Sequence, residues 1–226
     1  MAVSGSKDFE LDVAEYIEEA FERCGIEAKT GYDLKSAKRS MNLLFADWAN
    51  RGLNRWTIEQ STVSLVKGTA SYSLGADTID ILSAVVRTNA GQTDQQDITI
   101  DRVSREEFLN IPTKNTQQRP TQFYVDRQIN PNVRVWPTPD ASYTLVYDRL
   151  VRIDDADTQQ NTLELPFRFY PCLAAGLAYY ISMKRAPDRT QLLRVVYEEE
   201  FARAAKEDRD RASFKIVPNR NFYRAV

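Results

Sequence analysis

Histidine is absent from the 226 residues. Its absence removes the commonest general base, the Ser-His and Cys-His nucleophile pairs, and the most used metal ligand. Cysteine occurs twice, at Cys24 and Cys172. Both lie in apolar, helix-like surroundings and read as two buried thiols in preference to a disulfide or a site, and their spacing is not that of zinc ligands. No glycine-rich loop offers a cradle for phosphate. Crossing a bilayer takes about 20 apolar residues; the longest apolar run, around Cys172 to Met183, is shorter and full of small side chains. No basic-then-apolar stretch opens the chain, so no secretory signal is expected. No cofactor, no metal, no membrane and no catalytic residue is expected from this pattern.

What is present suits a folded structural protein. Hydrophobic residues make up 42% of the chain, enough to bury a core. The net charge is −2, which argues against a general nucleic-acid binder while leaving room for a local basic patch.

Periodicity divides the chain into three blocks. Phe9, Val13, Tyr16, Ile17, Ala20, Phe21 and Cys24 form one apolar stripe at helical spacing, with Glu10, Asp12, Glu15, Glu18, Glu19 and Glu22 on the other faces and Gly25 at the stop. A second helix is predicted from about Asp33, as N-cap, to about Asn50, with Leu34, Ala37, Met41, Leu44, Phe45 and Trp48 inward. The period then falls to two. Stretches 55–66, 70–74, 78–86, 121–126, 132–137 and 142–151 read as strands, rich in β-branched and aromatic residues. Ser104 and Glu107 form a capping box and predict a short helix within 103–112.

The helical period returns after a polar loop. Leu165-Pro166 is expected to open a third long helix that is apolar on nearly all sides and therefore central. Pro171 conflicts with a mid-helix position; it bends the helix, or the helix proper starts near Tyr170. A fourth long helix is predicted from Asp188, as N-cap, to about Arg211, with Leu193, Val196, Tyr197, Phe201, Ala204 and Ala205 inward. The expected fold is α+β: N- and C-terminal helix pairs form a four-helix bundle (8–53 and 162–211), an all-β lobe is inserted (54–161), and an extended tail follows (212–226). Trp48, Trp56 and Trp136 read as core, not as a stacking platform for bases. Asp154, Asp155, Asp157 and Glu164 cluster in sequence; a polar loop accounts for them, and a pair of catalytic carboxylates is the competing reading.

Several stretches taken in order carry a family likeness: "MNLLFADWANRGLNRWTIE", "VSREEFLNIPTKNTQQRPTQFYVDRQ", "VWPTPDASYTLVYDRLVRID", "LPFRFYPCLAAGLAYYISMKRAPDR" and "YEEEFARAAKEDRDRASFKIVP". Together they resemble the head-to-tail adaptors, or connectors, of short-tailed bacteriophages, the tail tubular protein A type. The likeness runs from about Phe9 to Tyr223. It implies a virion protein whose subunits form a dodecameric ring below the portal, meet the nozzle or tail tube on the other side, and let double-stranded DNA pass through without specific binding. Adaptors of this kind are often monomeric when free, so the ring is expected on the portal. Some relatives are credited with peptidoglycan hydrolysis, but no catalytic motif here matches. A cell-wall hydrolase and a host-binding module of the tail are the alternative readings.

The resemblance gives the tail a role. Phe214, Lys215, Ile216, Arg220, Phe222, Tyr223 and Arg224 are expected to form a portal-binding arm, because so short a segment cannot build a core of its own. Asp208, Arg209, Asp210 and Arg211, dense in charge at the end of the last helix, are expected at the interface between subunits. A DNA duct should not grip phosphates, and a near-neutral chain with an acidic first helix fits a duct better than a reader.

Overall fold

The computed structural model describes residues 5–6, 9–27, 30–52, 55–158 and 160–209. Among these the chain is α+β, with five α-helices and two four-stranded sheets.

Helix α1 spans Val13–Cys24. Asp12 caps it: its Oδ1 accepts from Glu15 N at 2.8 Å, and Glu15 Oε2 accepts from Asp12 N at 2.9 Å. Gly25, at φ 71°, ends it in the left-handed region where a side chain is strained. Val13, Tyr16, Ile17, Ala20, Phe21 and Cys24 are buried, as the stripe predicted. Phe9 departs from that expectation: it precedes the helix and is 61% exposed. Helix α2 spans Gly31–Arg51 and begins before the predicted Asp33. Thr30 is the cap and Asp33 the returning acid, because the Thr30 hydroxyl accepts from Asp33 N while Asp33 Oδ2 accepts from Thr30 N.

Helix α4 (Tyr170–Arg185) is preceded by a 3-10 turn, Phe167–Phe169, that follows Pro166. Pro171 therefore sits in the first turn, where its missing N–H breaks no helical bond. Of the two positions open to this proline, the start near Tyr170 is the one adopted, and Leu165-Pro166 precedes the helix without opening it. Helix α5 (Thr190–Glu207) likewise follows a 3-10 turn, Pro187–Arg189, and has no side-chain cap, so Asp188 is not its N-cap. Its buried face is Leu193, Tyr197 and Ala204, narrower than expected: Val196 is 36% exposed and Ala205 is exposed. The reason is that α5 packs mainly on α4 and needs only one narrow stripe.

Side chains of α1, α2, α4 and α5 share one core, in which α4 contributes from Cys172 to Ile181 on all sides. Small residues make this possible. A Cβ on Gly176 would lie 2.8 Å from Leu44 Cδ2 and 2.9 Å from Tyr197 Cε2, so α2 and α5 both press on the same point of α4. Cys24 and Cys172 are free and buried in this core. Burial pushes the Cys172 thiol up to about 12 and also raises that of Cys24.

The strands between the helix pairs are β1 (Ile58–Leu65), β2 (Ser71–Ser73), β3 (Thr78–Thr88), β4 (Gln96–Thr99), β5 (Asp101–Arg102), β6 (Gln122–Asp126), β7 (Asn132–Trp136) and β8 (Tyr143–Val151). One sheet runs β1-β8-β3-β4 and is antiparallel throughout; the other runs β2-β7-β6-β5, with β5 parallel to β6. Their facing apolar rows, including Leu65, Ile81, Val86, Phe123, Val133 and Leu145, enclose a second core. The short helix α3 (Arg105–Asn110) forms where the Ser104–Glu107 capping box placed it. After β8 the chain returns to the helices: Val13 N donates to Asn161 O at 3.2 Å, and Ala156 N donates to Asn42 Oδ1 at 2.9 Å.

Two outcomes follow from this packing. Gly176→Val should lower unfolding stability by about 1–3 kcal/mol through overpacking, read by denaturant midpoint. In the native protein neither thiol should react with Ellman's reagent at neutral pH, and both should react after unfolding.

Candidate functional site

The site expected at the end of α5 begins with a clamp. Asp208 has only 4% of its side chain exposed. Its Oδ1 accepts from Arg168 Nη2, and its Oδ2 accepts from the Arg55 main-chain N–H at 2.8 Å. One carboxylate thus ties the end of α5 to the turn before α4 and to the turn before β1. Asp208, read from the sequence as an interface residue, has its carboxylate engaged inside its own subunit. Arg209 is exposed. Asp210, Arg211 and the whole arm (Phe214, Lys215, Ile216, Arg220, Phe222, Tyr223, Arg224) lie outside the described residues.

A second polar group locks α5 onto α2. Arg51 donates to both oxygens of Glu198, at 2.7 and 2.9 Å, and to Asp47 Oδ2 at 2.7 Å. Its guanidinium lies 4.9 Å from the Tyr197 ring centre and 4.7 Å from that of Phe201. The Tyr197 hydroxyl accepts from Trp48 Nε1 at 3.0 Å and donates to Asp47 Oδ2 at 3.1 Å. The bond from Arg51 holds the Glu198 carboxyl below its usual range, and burial raises the Tyr197 phenol.

A groove missed in the sequence opens between α1 and the start of α4. It has a volume of about 490 Å3 and is floored by Phe9, Leu11, Phe167, Tyr170, Pro171 and Ala174. Phe9 and Phe167 are 61% and 72% exposed, and both lean on Tyr170, with ring centres 6.5 and 5.6 Å away. Glu15, Glu18, Glu19 and Glu22 line its rim with Arg23, which pairs with Glu19 at 2.7 Å. Among the described residues Glu18 and Glu22 have no ion-pair partner. The spacing of those four acids, one turn apart along α1, was the available sequence signal; the aromatic floor was not, because it joins two segments far apart in the chain.

The other candidates resolve individually. Trp48 is fully buried, and Trp56 packs on Phe169 with ring centres 4.2 Å apart. Trp136 is half-buried outside both cores, its Nε1 donating to Thr113 O at 3.1 Å. Asp154, Asp155, Asp157 and Glu164 are exposed. Among the described residues no group of three or more cysteine, aspartate or glutamate side chains is placed to hold a metal, and no helix is long and apolar enough to cross a membrane.

The chain is thus an α+β protein with two cores and a polar clamp at the end of its last helix. The profile of the SU10 adaptor protein family matches residues 12–221, and the chain belongs to that family of phage adaptors. No curated protein matches it.

The clamp makes a specific forecast. Asp208→Ala should cost about 1–3 kcal/mol of stability, because the Arg168 guanidinium and the Arg55 N–H lose a largely buried acceptor. Arg209→Ala, at an exposed site, should change the unfolding midpoint little.

Proposed function

We propose that this protein is the head-to-tail adaptor of a short-tailed phage, a structural subunit whose ring joins the portal to the tail nozzle or tube at the virion neck. The observation that carries this reading is the family match itself. It covers both helix pairs and the strand block, and it continues to residue 221, into the proposed arm. The shared helical core supports a four-helix bundle made of 8–53 and 162–211, with 54–161 as an inserted β lobe and 212–226 as an arm.

In this reading the ring is dodecameric and forms part of the DNA ejection channel. The DNA passes without being held: with a net charge of −2 the subunit has no net excess of cations to neutralise phosphates. The arm orders on the portal. Burying Phe214, Ile216, Phe222 and Tyr223 between portal subunits offsets backbone entropy lost on ordering. Lys215, Arg220 and Arg224 steer the encounter with portal carboxylates. A ring of such arms multiplies a modest single-arm affinity. Arg209, Asp210 and Arg211 lie at the contact between neighbouring subunits, with Asp208 holding the base of the arm in place.

Deletion of 213–226 tests the arm. The truncated protein should keep its helical circular-dichroism signal and fail to mount on purified portal particles in pull-down and negative-stain images. Mounting at full occupancy would refute the arm.

A further inference from the structure

The acidic, aromatic groove on α1 and α4 has an occupant of matching chemistry in the same chain. Residues 212–226 carry Phe214, Ile216, Phe222 and Tyr223 together with Lys215, Arg220 and Arg224, and no Asp or Glu. The groove presents two exposed phenylalanines and a rim of four carboxylates against a single guanidinium. Groove and segment both carry aromatic side chains, and their charges are of opposite sign.

The path of the chain points the same way. Asp208 is bonded to Arg168, and the residue before Arg168 is Phe167, part of the groove floor. Residue 208, the second-last one described, is therefore held against Arg168, the sequence neighbour of a groove residue. Six extended residues reach about 20 Å, which brings Phe214 within range of Phe167 and Tyr170 without crossing to another molecule.

We propose that in the free subunit the groove formed by Phe9, Phe167 and Tyr170 shelters the chain's own 212–226 segment, with Glu18 and Glu22 facing its cations, until a portal offers a deeper slot. The proposal rests on the arm reading above and adds where the arm resides before assembly. Its consequence is quantitative: the affinity for portal falls by the fraction of subunits whose arm is free. Emptying the groove should therefore strengthen portal binding, the opposite of what deleting the arm does.

The test uses the full chain. A mixture of isotopically light and heavy protein is treated with a carbodiimide, which joins an amine to a carboxylate in direct contact, and the products are read by mass spectrometry. The expected product links Lys215 to Glu15, Glu18 or Glu22 within one chain, and its yield falls as salt rises. Phe167→Ser removes an exposed floor residue and leaves every carboxylate in place; it should abolish the link and raise portal affinity several-fold. Truncation after 211 should speed amide exchange over 13–24. No link from Lys215 to α1, links only between light and heavy chains, or exchange unchanged by truncation would each overturn the proposal. Portal mounting of the same samples separates the two readings. Normal arm-dependent mounting without a link removes the groove alone, whereas mounting that ignores the arm removes the portal reading.

Discussion

A single carboxylate with 4% of its surface exposed fixes the geometry on which the rest depends. Asp208 accepts from Arg168 and from the Arg55 main chain, so it joins the last helix, the entry to the central helix and the entry to the sheets. A charge so far from water stays only where its acceptors are satisfied. Here the two donors come from two separate stretches far from α5 in the chain, and the bonds double as a positional constraint. It fixes the end of α5 against the turns that precede α4 and β1.

The helical core is arranged to make such a constraint rigid. Ala174, Ala175, Gly176 and Ala178 let α4 be approached from every side, and the Arg51–Glu198–Asp47–Tyr197 group ties α5 to α2 across it. Glu198 contributes to this in a pH-dependent way. Its carboxyl is held below the ordinary range by Arg51, so its contribution is present above the unfolded glutamate range and is lost as pH falls through its folded value. The pair is partly exposed and the effect correspondingly modest. The strand block has its own core between two sheets, separate from that of the helices.

Much of the fold was legible in the residues. The stripes of α1 and α2, the capping box at Ser104, six of the strands and the apolar all-round character of α4 each follow from local patterns. What escaped did so for physical reasons. β4 and β5 are short and polar, "QDIT" and "DR", and exist because neighbours complete their hydrogen bonds. Phe9 fits the α1 stripe by spacing, but Asp12 caps the helix after it and leaves the ring outside. Val196 fits the α5 stripe too, yet α5 packs mainly on α4 and leaves Val196 36% exposed. The engagement of Asp208 was hidden because Arg168 and Arg55 are 40 and 153 positions away. The groove was hidden for the same reason.

In the proposed reading the clamp holds the end of α5, and the residues after it, which carry apolar side chains and cations, bind the portal. Imaging of the assembled virion neck at side-chain resolution tests this most directly. The account predicts that the chain leaves the adaptor at the Asp208–Arg168 pair and that Phe214 and Phe222 are buried against portal subunits. Residues 212–226 lying on their own subunit in the assembled particle, with no second polypeptide against them, would contradict it.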